Sequence, residues 1–417
     1  MSDVRGAVDP TLTARERSHH GDHCTAPRPA RSRAPPADDG RDPEPCPPRR
    51  TAGPARPPGR PAERRVDRGR RRAVTPAAVA VVGTGTSAVE HLRALQQIPR
   101  LRVRWVAGSD LARAEELARL VGARATTDIH GAVTDPAVQA VDIVNATPGH
   151  APWTIVAGHA GKHVHVDQPA ALSLAQLDAM TAATRHTSLL VGQTVRFQPA
   201  VARLARAAQS GEVGTPRLLH ISWYTGHAWP GGWRSWQLDP ALSGGHPVHN
   251  GTHILDAATW LLGSAPAEVF ARGVRTFSPD MESPDSFQVQ LRTADGGLAT
   301  LELCYALRRR GDMLRRVVLV GTGGTLRHST EDEPGLTSDA ARPAPLSLEG
   351  ALRVQLEHWA DVVTGTARPL VRPDQVRGAL AGALAAQRSL VTGRRVHVTE
   401  IEADPVVGAN APVEEVL

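Results

Sequence analysis

The stretch GGWRSWQLDPALSGGHPVHNGTHILDAATWLLG, residues 231 to 263, gathers His246, His249, His253 and Asp256 behind the glycine pair Gly244 and Gly245. Spacings of four and three place His249, His253 and Asp256 on one side of a predicted helix. Imidazole titrates near neutrality, so a histidine here can exchange a proton with a hydroxyl or carbonyl at which hydride leaves or arrives. The same four residues could make a metal-dependent hydrolase site. A helix-start glycine turn and a nucleotide-binding pattern upstream explain the region without zinc, and no metal is expected. Trp229, Trp233 and Trp236 offer rigid faces to wall a pocket for a cyclic substrate, with ordinary core packing as the alternative.

Hydride chemistry needs a carrier, and Ala78 to Asp110 has the pattern that binds one. AVAVVGTGTSAVEH reads as a buried strand, a Gly83-x-Gly85-x-x-Ala88 turn and a helix start. Gly83 permits the tight turn, Gly85 the approach of a pyrophosphate, and Ala88 close packing of helix on strand. Thr84 and Thr86 flank these glycines, and free N–H groups at the helix start would hold the diphosphate. A second strand ends at Asp110, 27 residues after Gly83. An acid there suits the ribose hydroxyls of NAD and disfavours NADP.

The elements that position these groups follow in order. LARAEELARLVG is helical, with Leu111, Leu117, Leu120 and Val121 as core contacts, and VDIVNATPGH is a buried strand opening into a turn at Pro148. A short helix from Trp153 to His159 precedes the strand HVHVDQP, whose His163 and His165 share one face and are expected as satisfied or exposed strand histidines, with metal ligation by the pair as the alternative. Successive βα units predict an α/β Rossmann domain over 76–200. From residue 216, separated strands with turns such as Asp295-Gly296-Gly297 predict a large open, mostly antiparallel sheet. Helices at Leu346 to Val363 and Asp374 to Val391 complete an α+β substrate-binding and oligomerisation domain over 201–402.

Residues 1–75 hold 17 Arg, no Lys, 10 acids and 13 Pro, a net of +7, whereas the remaining 342 residues carry 31 basic and 32 acidic groups. The positive charge is thus confined to a Pro-rich extension that reads as disordered, and a nucleic-acid partner is not expected. Residues 403–417 read as a flexible tail. Cys24, Cys46 and Cys304 are too few and scattered for a disulfide framework. Without a secretory start or a membrane-length apolar run, a cytoplasmic protein with no membrane partner is expected.

Over residues 77 to 400 the chain resembles the oxidoreductases named for glucose-fructose oxidoreductase and inositol dehydrogenase (Gfo/Idh/MocA). The resemblance rests on AVVGTGTSAVEH, VAGSD, VNATPGHAPWTIVAGHAGKHVHVDQPA and SGGHPVHNGTHILDAATWLLG, in that order. It implies a Rossmann domain, an open-sheet domain and a dinucleotide in the crevice, bounded by Thr147, Pro148, His150, Asp167 and Gln168. It also implies a Glu-Lys-Pro motif where this chain has Asp167-Gln168-Pro169, an Asp-x-Gly-x-His motif where it has His249-x-Gly251-x-His253, and a Trp-Arg pair where it has Trp236-Gln237. Gln168 cannot relay a proton as an amine does. The only lysine, Lys162, lies six residues earlier, near the opposite strand end.

The expected activity is NAD(H)-dependent hydride transfer to or from a small cyclic polyol, sugar or related carbonyl or imine. His253 exchanges the proton, with His249 and Gln168 in support and Trp236, Gln237 and Asn250 beside the substrate. Transient redox without net oxidation, and a non-catalytic NAD-binding sensor or assembly subunit, are the alternatives. A homodimer or homotetramer through the C-terminal sheet is expected.

Overall fold

A computed structural model describes residues 75–226, 235–276, 284–307, 313–330, 335–338 and 350–404. Trp229, Trp233, Cys24, Cys46 and nearly all of both expected terminal tails lie outside them. The chain divides into two units, Met1–Arg68 and Gly69–Leu417, and every described residue belongs to the second.

Six strands form the first sheet: β1 (Ala77–Val82), β2 (Leu101–Ala107), β3 (Arg124–Thr126), β4 (Ala140–Ile143), β5 (His163–Val166) and β6 (Leu189–Val191). All pairs are parallel, in the order β3-β2-β1-β4-β5-β6. The last four side chains of β1 are fully buried because a parallel sheet with helices on both faces has no wet side. The strand order reverses between β1 and β4, so the loops at their carboxyl ends diverge and leave a crevice.

The Leu111–Val121 helix buries Ala114, Leu117 and Ala118, while Leu111 and Leu120 are 46% and 47% exposed. This corrects the expected core set. Leu120 falls off the face defined by residues 114, 117 and 118, and Leu111 is the first helical residue, at the protein surface.

The second sheet has eight strands: β7 (Pro216–Gly226), β8 (Pro266–Val274), β9 (Ser286–Thr293), β10 (Leu298–Leu307), β11 (Met313–Gly321), β12 (Gly324–Ser329), β13 (Gly335–Ser338) and β14 (Val396–His397). Their order is β13-β12-β11-β7-β10-β9-β8-β14, antiparallel except for the central β7–β10 pair. In β9, Phe287, Val289 and Leu291 turn inward and Gln288, Gln290 and Arg292 outward, the alternation of a sheet with one covered face. The helices Gly251–Leu262 and Pro373–Thr392 pack on the sheet. Pro373 opens the second of these and Gly393, at φ 69°, closes it. The helix before it starts at Ala351, five residues later than expected.

A candidate dinucleotide and proton-transfer site

At the β1 turn, Gly83 has φ 132°, and a Cβ on it would lie 2.8 Å from the backbone of Val144 and Asn145. Only glycine lets the β1 and β4 loops press together there. Gly85 is the N-cap of the Thr86–Gln96 helix, which has neither a side-chain cap nor an acid in its first turn. A Cβ at Gly85 would project into open space, so the helix N–H groups face an unfilled cradle suited to a diphosphate. Thr84 is half-buried and Thr86 exposed beside it, and Ala88 is fully buried beneath. Asp110 is exposed and caps the next helix, its Oδ1 accepting from the Arg113 N–H at 3.1 Å.

The β4 and β5 loops are tied together by His150. Its Nδ1 lies 2.9 Å from the Pro169 carbonyl and its Nε2 3.0 Å from the Asn145 carbonyl. Burial pushes its pKa down, and a neutral ring donates to only one of these two acceptors. Thr147 and Pro148 form the single helical turn before it, Thr147 being buried. Asp167 accepts from the Gln168 N–H at 2.9 Å, and the Gln168 amide reaches the His249 carbonyl at 3.3 Å. Gln168 Oε1 and both side-chain polar atoms of Gln193 are enclosed without a partner. Such orphans at the strand ends fit a polar cofactor or substrate. Lys162 takes no part, since its Nζ donates to the Asp135 and Val138 carbonyls at 2.8 and 2.7 Å, at the amino end of the sheet.

The histidine stretch is two helices, His246–His249 and Gly251–Leu262, broken at Asn250. The single helix face expected for His249, His253 and Asp256 is therefore corrected: consecutive φ values of 78° and 77° at Gly244 and Gly245 start a short turn that ends before Gly251. Asp256 faces away from proton traffic, holding the Arg196 guanidinium with two bonds of 2.6 and 2.7 Å at full burial. His246 packs against Tyr305 and Phe287, at 4.5 and 5.7 Å between ring centres. His249 meets the edge of Trp236 at 5.2 Å and Gln237 at 3.3 Å. Its Nδ1 and the Asn250 Nδ2 are enclosed without partners.

His253 is half-buried and lies nearly parallel to Trp223, 6.3 Å between ring centres. Neither of its nitrogens bonds to a described residue, and Nδ1 is enclosed. Burial, opposed by the Asp167 carboxylate and reinforced by Arg315, pushes its pKa down to about 4. Burial likewise takes His249 to about 4 and His246 to about 3. All three are thus neutral at neutral pH, the form in which an imidazole can accept a proton.

A second group was hidden in the sequence. His91 Nδ1 and His165 Nδ1 meet the two oxygens of buried Asp142 at 2.9 and 2.7 Å, and Gln355 closes on His165 Nε2 at 2.6 Å. Although burial opposes it, the Asp142 carboxylate raises the His91 pKa to about 9, and the two histidines hold Asp142 well below the carboxylate range. Among the described residues this is the one cluster compact enough to hold a metal. With His91 protonated, the three side chains form a charge-balanced network, since the imidazolium neutralises Asp142. His163, its neighbour on β5, bonds to Ser188 at 2.8 Å.

Arg315 and Trp223 were also not foreseen. They are cross-strand partners on β11 and β7, and the Arg315 guanidinium carbon lies 3.6 Å from the centre of the Trp223 ring.

A parallel sheet reversing at β1/β4, a capless glycine helix start and unpartnered polar groups at the strand ends define a dinucleotide-binding, two-domain oxidoreductase. The chain belongs to the Gfo/Idh/MocA oxidoreductase family: residues 77–194 match its NAD-binding Rossmann fold and residues 201–327 its C-terminal domain. Similar proteins include inositol 2-dehydrogenase 2 of Paenarthrobacter aurescens, 29% identical across 70% of this chain and 90% of that one. The scyllo-inositol 2-dehydrogenase (NAD(+)) of Bacillus subtilis is 27% identical across 76% and 95%. Among solved structures, GenD2 from gentamicin A biosynthesis in complex with NAD superposes with a TM-score of 0.68 and 25% identity, covering 78% of this chain and 97% of that one. No described helix is long and apolar enough to cross a membrane.

Proposed function

We propose that this chain is an NAD(H)-dependent oxidoreductase of a small polyol, sugar or related carbonyl or imine compound, with His253 as the proton acceptor and donor. The observation that carries the reading is His253 itself, a neutral imidazole with no partner on either nitrogen among the described residues. NAD would supply the two-electron hydride acceptor or donor. Gly83, Thr84, Gly85 and Thr86 would hold its diphosphate, with Thr147, Pro148, Asp167 and Gln168 bordering the nicotinamide end and His150 fixing the two loops. In the oxidising direction His253 Nε2, the nitrogen that is not enclosed, takes the hydroxyl proton as hydride leaves the same carbon. His249, held neutral beside it, lowers the cost of a single added proton by not carrying one. Gln168 Oε1 accepts from a ligand donor, and Trp236, Gln237 and Asn250 border the substrate.

The names of the inositol-oxidising relatives support a polyol substrate. The exposed carboxylate of Asp110 supports ribose recognition and NAD over NADP. Arg113, whose Nε is 3.4 Å from the Thr84 carbonyl, is the group that would offset this preference. Leu218 and Leu298, 49% and 51% exposed on neighbouring strands, support a homodimer or homotetramer through the second sheet. The test is NADH production or consumption across inositols, aldoses and their keto forms. Turnover with NAD exceeding that with NADP is expected, and tight NAD binding with no turnover in either direction would replace this reading with a sensor.

A further inference from the structure

Arg315 acts on the proton-transfer histidine from close by. Burial lowers its pKa to about 10, so it stays charged at neutral pH, and no carboxylate pairs with it among the described residues. Its Nη1 donates to Gln198 Oε1 at 2.9 Å, while its Nε is enclosed with no acceptor. An enclosed guanidinium N–H left unmet is destabilising, and buried charges are ordinarily paired. Register places the side chain on the inner face of the second sheet: Arg315 is opposite Trp223, as buried Val317 and Leu319 are opposite buried Ile221 and Leu219. Contacts of 3.6 and 6.3 Å through Trp223 put the guanidinium carbon less than about 10 Å from the His253 ring centre. That upper limit is within the reach of one six-carbon ligand hydrogen-bonded at both ends.

Among the described residues no other cation shares this position with Arg315. Arg196 is committed to Asp256, Lys162 lies at the far end of the first sheet, and the three crevice histidines are neutral. One planar cation with no second beside it matches a monoanionic carboxylate better than a phosphate dianion.

We propose that Arg315 recognises a carboxylate, so that the substrate is an acidic sugar or polyol whose reacting carbon lies at His253 and whose carboxylate lies at Arg315. This rests on the oxidoreductase reading above.

Calorimetry on the full chain saturated with NADH separates the two. The probes are D-glucuronate and D-glucose, titrated into wild type, Arg315→Gln and Arg315→Lys. The proposal expects D-glucuronate to bind wild type at least tenfold tighter than D-glucose. That preference is lost in Arg315→Gln and partly kept in Arg315→Lys, which retains the charge and guards against a mere packing effect. Equal binding of the two probes by wild type, or a preference that survives in Arg315→Gln, would overturn it. NADH is titrated into the full chain beforehand; absence of NADH binding there would sink the oxidoreductase reading instead, and the carboxylate preference is still read from the sugar titrations.

Discussion

Two histidine clusters lie in this protein, and they have been treated in opposite ways. His91 and His165 share the carboxylate of Asp142, with every contact short and the group wholly buried. His249 and His253 are enclosed by Trp236 and Trp223 with no carboxylate bonded to them among the described residues, and burial outweighs the pull of the nearby Asp167 carboxylate. His91, bonded to an acid, is held as a cation that ties elements together. His253, walled by an aromatic ring with no acid bonded to it among the described residues, stays neutral and able to take a proton. The difference lies in the partners, since the side chain is the same in both.

Breaking the first cluster should cost the most. Asp142→Asn leaves protonated His91 without its counter-charge, and the expected loss is about 3–5 kcal/mol of folding stability. Chemical denaturation measures it, and a loss under 1 kcal/mol would mean His91 is neutral in the folded protein. His253→Ala should instead leave stability near wild type and reduce turnover by about a hundredfold, with NAD affinity unchanged. Steady-state kinetics with fluorescence titration of NADH checks both, and near-wild-type turnover would remove His253 from the proton step. If the two variants exchanged phenotypes, the assignment of structure to one cluster and chemistry to the other would be reversed.

The sequence shows the carrier site far better than it shows either cluster. Gly83, Gly85, Ala88 and Asp110 are legible because backbone recognition of a diphosphate uses local geometry, and these four residues lie within one βαβ unit. His253 was singled out by the family's order of motifs, not by local geometry of this kind. The break at Asn250 was not legible, since helical spacing continues through it and only two successive left-handed glycines reveal the short first turn. Asp142 is 51 residues from His91 and 23 from His165, and inside VDIVNATPGH it reads as one acid in an apolar strand. Arg315 meets Trp223 only through strand register, which no spacing along the chain encodes.

The clusters also respond to pH with opposite signs. His246, His249 and His253 have folded values of about 3, 4 and 4, below the roughly 6.5 of an unfolded histidine. The unfolded chain therefore binds more protons in acid, and their contribution, complete above about 6.5, is lost as pH falls towards 4. His91 lies at about 9, so its contribution is complete below about 6.5 and is lost as pH rises through 9. Thermal melts should peak between pH 6 and 7.5 and fall by roughly 3–6 °C on each side. Asp142→Asn should flatten the alkaline limb and His253→Gln part of the acid limb. A wild-type profile flat from pH 4.5 to 9 would refute both assignments.

The smallest effect tests the link between the carrier site and the unpaired cluster. Gln168 spends its amide on the His249 carbonyl at 3.3 Å and leaves Oε1 enclosed as an acceptor for a ligand donor. Lysine can replace the donor but offers no acceptor, and its charge would settle between the Asp167 carboxylate and the neutral histidines. Gln168→Lys should therefore raise the KM of the ligand that donates to Oε1 by about tenfold, the worth of one hydrogen bond, with kcat changed less. Measuring KM for NAD and for substrate separately tells which ligand that is. If both stay at wild-type values, Oε1 meets neither ligand; if kcat rises instead, proton transfer at His253 is limited by the missing amine and His253 does not act alone.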